Sequence, residues 1–389
     1  MFKRHCSRVV LRRHGSSVEA IPHDVVELIL ERLPVKSLLR FRSVSKKWKS
    51  AIDSPSFQER QSIRRRQARG PDALFVTTYY FADVGLNTDA RRFVIGSSTA
   101  YTVRFPTLGS SLCHGTCDGL VCLYSVFDPR VNVVVNPATK WDQTFPLSTI
   151  QHFINDMSEK HVYFTPPKLG FGKDKLTGTY KTVFLYNSSE FGLDNATTCE
   201  VFDFSTKAWR YVHPASPYRI NPHRHPVYLD GSLYWLTECE EDTKVLSFDL
   251  HTESFQVICN APFAHVPDDL YSVTICILDN RLCVSKKNWP TQEIWSFDSS
   301  SSAWMLMCSI DLTKTFSWFG EPKFALSPVA ILDKNKLLLQ GRDYFDALVI
   351  HDLCTKSYDI LFKPSTSPVG SVYYFESLFS VLSNQIWFV

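Results

Sequence analysis

No stretch of this 389-residue chain approaches 18 uncharged apolar residues, so a membrane-spanning helix is not expected. The first residues hold no long apolar run either. Val9-Val10-Leu11 is only three residues, and a secretory leader is not expected. Several catalytic signatures are missing. There is no Gly-x-Ser-x-Gly elbow and no His-Glu-x-x-His. Gly170-Phe171-Gly172-Lys173-Asp174 lacks the Ser/Thr and the earlier glycine of a phosphate loop. Cys113-His114-x-x-Cys117 with Cys122 has no clear fourth ligand for a structural zinc, and His223-Arg224-His225 reads as a solvated turn between Pro222 and Pro226. No metal or cofactor is therefore expected. The 11 cysteines are an odd number and follow no leader, which fits reduced thiols in the nucleus or cytoplasm. The Asn-x-Ser/Thr sites at Asn187 and Asn195 are then not expected to carry glycans.

What is present is 44% apolar, enough for a substantial core, and the length allows two or three domains. A net charge of +3 hides an asymmetry. Residues 1–70 carry 17 Lys/Arg against 6 Asp/Glu, and residues 71–389 carry 25 against 33, so the halves stand at +11 and −8. A basic head can attract nucleic acid, an anionic membrane or an acidic protein. Residues 1–18 read as a basic, mobile tail that could also serve as a targeting signal.

Residues 19–60 read as short helices. Val25, Leu28, Ile29 and Leu33 form one apolar stripe, and Pro34 stops it. Ser37 is placed to cap a second helix carrying Leu38, Leu39 and Phe41. Val44, Trp48, Ala51 and Ile52 mark a third, and Ser56 with Glu59 forms a capping box for a fourth. Residues 61–72 continue as a basic linker helix with Arg64, Arg65, Arg66 and Arg69, expected to be a solvated surface. It lacks the interleaved aromatics that would stack on bases. About 40 residues bury too little surface for a robust core. Without metal ligands, such a block needs a partner.

From Ala73 onward short runs of Val, Ile, Phe, Tyr and Leu alternate with polar turns, the pattern of many antiparallel strands. They repeat. Phe-Asp, a Thr or Ser three residues on, then an aromatic recurs at Asp203, Asp249 and Asp298, with relatives at Asp352 and Asn136. The steps are 67, 46, 49 and 54 residues from Asn136 to Asp352. A second hairpin, out of phase, has polar turns at Asp118, Asp230, Asp279 and Asp333. Two hairpins per roughly 50 residues build one four-stranded propeller blade, so 319 residues from 71 to 389 give six or seven. The repeated acids are read as turn caps rather than acid/base pairs, and the aromatics as packing between blades. A pair of two-sheet sandwiches is the alternative architecture.

The string from Ile21 to Trp48 resembles an F-box, with its Pro-x-Asp opening (Pro22, Asp24), the Leu33-Pro34 break and a Val-Ser-Lys-x-Trp close (Val44, Ser45, Lys46, Trp48). Most of residues 100–360, within a domain taken as 73–389, are similar to the plant F-box-associated domain, carried by Cys117-Asp118-Gly119-Leu120, Asn136-Pro137-Ala138-Thr139 and Leu169-Gly170-Phe171-Gly172. The resemblance implies a mainly β protein, a helical F-box followed by a kelch-like β-propeller. It implies a non-catalytic substrate receptor of a ubiquitin ligase, joined to a cullin through a Skp-type adaptor. Adaptor-facing candidates by that resemblance are Pro22, Leu28, Ile29, Leu33, Pro34, Leu38, Val44 and Trp48. The alternatives are a scaffold unconnected with ubiquitin, a nucleic-acid-associated protein using the basic head, and an enzyme built on the propeller channel.

The protein target is expected on propeller loops, which vary without disturbing blades. The longest irregular candidates are Asp142–Pro167 and Arg210–Pro226. Trp141, Tyr218 and Trp289 in or beside loops are candidate contacts. The −8 body mildly favours a basic target surface. No membrane partner is expected, and nucleic acid is a secondary reading.

Overall fold

The computed structural model describes residues 21–68, 72–81, 85–93, 101–106, 112–124, 132–158, 165–238, 242–263, 271–320, 324–341, 347–363 and 368–381. The basic tail expected over residues 1–18 lies outside them.

Four helices open the chain: α1 (His23–Leu30), α2 (Val35–Phe41), α3 (Lys46–Asp53) and α4 (Pro55–Ala68). Their starts are set by proline and serine. Pro22 and Pro34 precede α1 and α2 with no side-chain cap, so the cap expected from Ser37 is not used. Ser45 caps α3 by accepting the Trp48 amide at 3.1 Å. Ser54 caps α4 by accepting the Phe57 amide at 3.3 Å, two residues ahead of the expected Ser56–Glu59 box. Pro55 explains the shift: its fixed φ and missing N–H suit the first helical position. Inside, Leu30, Leu38, Ile52 and Phe57 form a small buried core. The basic segment expected as a separate linker is the second half of α4, which runs unbroken to Ala68 with Gln61 and Ser62 buried.

The rest is a β-propeller. Among the described residues the strands form six four-stranded antiparallel sheets. Five follow chain order. The second sheet holds β4 (Leu112–Cys117), β5 (Leu120–Tyr124), β6 (Asn132–Asn136) and β7 (Trp141–Thr144). The third holds β8 (Leu169–Lys173), β9 (Tyr180–Asn187), β10 (Thr197–Asp203) and β11 (Ala208–Tyr211). The fourth holds β12 (Val227–Leu229), β13 (Ser232–Leu236), β14 (Lys244–Asp249) and β15 (Phe255–Asn260). The fifth holds β16 (Val273–Leu278), β17 (Arg281–Asn288), β18 (Thr291–Asp298) and β19 (Ala303–Asp311). The sixth holds β20 (Ser327–Leu332), β21 (Lys336–Gln340), β22 (Leu348–Asp352) and β23 (Tyr358–Phe362). The first sheet mixes both ends of the strand region. Strands β1 (Asp72–Phe81), β2 (Gly85–Phe93) and β3 (Tyr101–Pro106) receive β24 (Pro368–Tyr374), which pairs antiparallel with β1, Asp72 opposite Tyr374.

Each sheet's leading strand (β24, β4, β8, β12, β16, β20) touches the next, and β20 returns to β24. Apolar clusters lie between consecutive sheets around the same circuit. One joins β1 and β24 to β5 and β6, and another joins the sixth sheet to Ala73 and Tyr373. Strands β5, β6 and β9 are buried along their whole length, on both faces. That is why β5 and β6 read as near-continuous apolar runs, while β9 also buries Lys181, Thr182 and Asn187. Gly172 permits the close approach: a Cβ there would sit 2.3 Å from the Tyr228 ring of the next sheet. The aromatics after the repeated acids do join neighbouring sheets. The indole N–H of Trp209 donates to the Pro146 carbonyl and that of Trp304 to the Asn260 carbonyl, each at 2.8 Å.

Between first and second strands, Asp118-Gly119, Asp230-Gly231 and Asp279-Asn280 have positive φ at both residues, as the two-residue type I′ turn that matches strand twist requires. Asp333-Lys334 shares the positive φ in a three-residue turn, and the third sheet uses the six residues 174–179. Between third and fourth strands, the acid accepts amides of its own turn. Asp249 Oδ1 takes His251 N at 2.8 Å and Thr252 N at 2.7 Å, and Asp352 Oδ1 takes Cys354 N and Thr355 N, both at 2.9 Å. The fourth residue after each acid or Asn136 is left-handed without being glycine: Lys140, Lys207, Glu253, Ser302 and Lys356 have φ of 52–62°. Four of them also donate their N–H to the carbonyl of that acid or Asn136. The side-chain cap and this closing bond offset the strain of about 1–2 kcal/mol. Asp249→Ala should therefore lower stability by about 1–2 kcal/mol, and Asp249→Asn, which keeps an acceptor, by less than half of that; urea-unfolding midpoints at pH 7 measure the difference.

Candidate functional site

Helix α1 has two apolar faces. Val26 and Leu30 turn inward onto the helical core. Val25, Leu28 and Ile29, spaced i, i+3 and i+4, share the other face and are 42–48% exposed, and Ile21, just ahead of the helix, is 60% exposed. Val44, after α2, is also exposed, as are Pro22 and Pro34. Scattered exposed apolar residues are ordinary, but a stripe along one helix marks a contact surface. The eight sequence-derived positions thus divide. Pro22, Leu28, Ile29, Pro34 and Val44 face outward. Leu33 and Trp48 are half-buried against the core, with Trp48 edge-on to Phe41 at 5.6 Å. Leu38, at 0% exposure, lies inside the core and offers nothing to a partner.

The arginines of α4 are not a solvated basic surface. Arg60 and Arg64 both pair with Glu31 of the α1–α2 connection at 2.5 Å, and Arg60 also with Glu27 at 2.9 Å. Burial pushes the Glu31 carboxyl up, but the two guanidiniums outweigh it and hold it below its ordinary value. Arg65 reaches Glu376 at 3.4 Å, beyond the last strand. Arg66 reaches Asp118 in the first turn of the second sheet. Asp118 also meets Lys173 at 3.2 Å and accepts from the Tyr180 hydroxyl at 3.0 Å, both from the third sheet. Burial pushes the Asp118 carboxyl up, yet Lys173 and Arg66 together hold it below the usual carboxylate range. The turn suits this role: Gly119 at φ 77° lets the chain pass so close to Phe375 that a Cβ would sit 2.2 Å from its carbonyl oxygen.

The antiparallel order puts first and third turns of every sheet at one end of the propeller, the end that α4 holds through Asp118. At the opposite end lie the second turns, which range from the two residues Trp289-Pro290 to the nine of 188–196, and the sheet-to-sheet connections, as long as the 24 residues 145–168. The stretch Asp142–Pro167, expected to be irregular, contains helix α5 (Thr149–Ser158). Ser148 and Gln151 form a capping box at its start, with Gln151 N donating to Ser148 Oγ at 3.3 Å and Ser148 N to Gln151 Oε1 at 3.1 Å. Its first amides, Thr149 N and Ile150 N, donate to the Glu200 carboxylate at 2.8 and 3.0 Å. Exposed at this end are Phe153, Leu193, Tyr271, Trp289 and Phe316. Of the loop aromatics singled out from sequence, Trp289 stands here at 44% exposure. Tyr218 is half-buried with Lys244 4.8 Å from its ring centroid, also at this end. Trp141 begins β7 at the α4 end and packs on the core between the second and third sheets.

At the α4 end a polar cleft of about 350 Å³ lies between the third and fourth sheets. Its charges are mutually engaged: Lys181 with Glu253 at 2.8 Å, Arg210 with Glu253, and His251 with Asp174 at 3.1 Å. Among the described residues no group of three or more His, Cys, Asp or Glu could hold a metal, and no helix is long and apolar enough to cross a membrane. The side chains of Cys113 and His114 lie outside the described residues.

Comparison with known proteins adds the following. The F-box domain family matches residues 19–60, and the family of the F-box associated beta propeller domain matches residues 97–381. F-box protein At1g11270 of Arabidopsis thaliana is 59% identical over 315 residues, covering 77% of this chain and 98% of that protein. F-box/LRR-repeat/kelch-repeat protein At1g09650 of the same plant is 49% identical over 383 residues, covering 94% and 97%. Among solved structures, a nidogen/laminin complex aligns at 12% identity with a TM-score of 0.46, over 79% of this chain and 100% of that one, a likeness on which nothing is built.

Asp118→Asn leaves Arg66 and Lys173 without their shared counter-charge. It should cost about 2–3 kcal/mol at pH 7. Because the folded carboxyl titrates below its unfolded value, near 3.9, the native chain loses this contribution as pH falls through that range. The stability gap between the two proteins should therefore close from pH 5 toward pH 3 in paired urea titrations.

Proposed function

The chain belongs to the plant F-box proteins with an F-box-associated β-propeller, and from that we propose that it is the substrate-receptor subunit of a Skp-adaptor, cullin and F-box ubiquitin ligase. The observation that carries this reading is the outward stripe of Ile21, Val25, Leu28 and Ile29 over a separate core of Leu30, Leu38, Ile52 and Phe57. A helix that buries one apolar face in its own domain and offers another is built to dock. The adaptor takes the stripe together with Pro22, Pro34 and Val44, and the cullin joins through the adaptor. Ubiquitin transfer takes place on other subunits, so this chain needs no nucleophile. We read residues 19–60 as the docking domain, residues 73–389 as the target-binding domain, and the nucleus or cytoplasm as the site of action.

The propeller is taken as six-bladed, one blade for each of the six sheets around the circuit of leading strands. The target is assigned to the end away from α4. The α4 end is occupied by the helical block, whereas the far end carries Phe153 and Phe316 on long sheet-to-sheet connections and Trp289 in the two-residue turn between β17 and β18. Nucleic-acid binding through α4 is disfavoured, since Arg60, Arg64, Arg65 and Arg66 are each paired with an acid.

Leu28→Glu with Ile29→Glu changes only exposed positions. The double variant should keep its thermal unfolding profile and lose at least 100-fold in affinity for a purified Skp-type adaptor. Trp289→Ala should leave adaptor affinity within twofold and reduce the set of proteins retained by the chain from proteasome-inhibited plant extract. Adaptor binding unchanged in the double variant would overturn the docking assignment.

A further inference from the structure

Helices α1 to α3 are the first part of the chain, but one residue of their core comes from its other end. Leu378 packs against the cluster of Leu30, Leu38, Ile52 and Phe57, beside Leu33 and Trp48. The segment that carries it is fastened on every side. The Asn136 amide, at 0% exposure, donates to the carbonyls of Ser377 at 3.1 Å and Phe379 at 2.8 Å, one on each side of Leu378. The Glu376 carboxylate pairs with Arg65 of α4 and with Arg92 of β2. Phe379 is buried, with the Lys173 ammonium 5.1 Å from its ring centroid. Phe375 packs over Gly119 and lies 5.9 Å from the Arg66 guanidinium.

Only Phe375, Glu376 and Ser377 separate Leu378 from β24. Three residues span at most about 11 Å, so Leu378 reaches the helical core only when β24 is in place beside β1. That pairing is also the step that closes the ring of sheets. A block of about 40 residues has little core to spare.

We propose that residues Phe375–Val381 form a clasp that completes the core of the docking helices only after the propeller has closed, so that adaptor docking is withheld from a chain whose propeller is unfinished. This rests on the docking reading above and adds its regulation. The stripe that meets the adaptor is the outer face of α1, and the inner face of the same helix leans on the core that Leu378 completes. An incomplete chain would thus carry the docking sequence without a firm docking surface.

The test uses the full-length chain and its Leu378→Asp and Leu378→Met variants, with two readouts: amide hydrogen exchange resolved by segment, and affinity for a purified Skp-type adaptor. In Leu378→Asp the amides of α1 to α3 should exchange at least 10-fold faster while the sheets keep their protection, and adaptor affinity should fall at least 5-fold. Leu378→Met should restore both. Unchanged exchange in α1 to α3 would overturn the clasp, and so would an equal loss of protection throughout the sheets, which would make Leu378 an ordinary part of the propeller. If the parent chain fails to bind the adaptor, the docking reading falls, and the exchange readout decides the clasp by itself.

Discussion

The carboxylate of Asp118 ties the helical block to two sheets at a single corner. It stands at the first positive-φ position of a type I′ turn, at the end of the second sheet. There it meets Arg66 from the helical block and Lys173 and Tyr180 from the third sheet. One acid between two cations is favourable in this setting because the hydroxyl and the turn geometry complete its coordination, so its burial is compensated. The same corner takes in the end of the chain through Phe375 against Gly119. Helical block, two sheets and the terminal segment converge on this turn.

Around that corner the propeller solves a different problem. Short aliphatic strands need covering on both faces and leave edges open to association. Stacking each sheet against the next covers the faces, which is why central strands such as β5 and β9 are buried end to end. Pairing β24 with β1 brings the two ends of the strand region into one sheet. The turns that make the repetition possible are held by their own acids, and a left-handed residue follows four positions later each time. The acids Asp203, Asp249, Asp298 and Asp352, one in each of four sheets, thus accept amides of their own turns.

The two ends of the propeller differ because of this construction. The first and third turns are short in most sheets, and the helical block rests on that end. Connections between sheets carry no such constraint, so they accommodate a helix, a proline-rich segment and exposed aromatics. Specific recognition belongs where sequence can change without disturbing strand pairing. The polar cleft at the α4 end, with Lys181, Arg210 and His251 each matched to an acid, joins adjacent sheets instead.

Much of this was legible in the sequence because it rests on local chemistry. The Pro34 break, the Asp-Gly hairpins and the Asp249-type caps each involve residues within five positions of one another, so their spacing declares them, whereas the caps expected from Ser37 and Ser56 give way to Pro34 and Ser54. Leu28 and Ile29 were marked by helical period, but period alone could not separate them from Leu38, because inside and outside are apolar on a helix that buries two faces. The arginines of α4 read as a solvated surface, since their partners Glu31, Asp118 and Glu376 stand about 30, 50 and 310 residues away. The α5 helix had a local start signal, Ser148 with Gln151, inside a stretch read as irregular; only its further acceptor, Glu200, lies 50 residues on. Leu378 carries no local signal of any kind. The order of elements, their turns and the family were determined by sequence at short range. Which charges are neutralised, which apolar faces remain open and what completes the docking helices were decided only when the closed ring brought distant residues to one corner, because ion pairing and burial depend on distance in space and not along the chain.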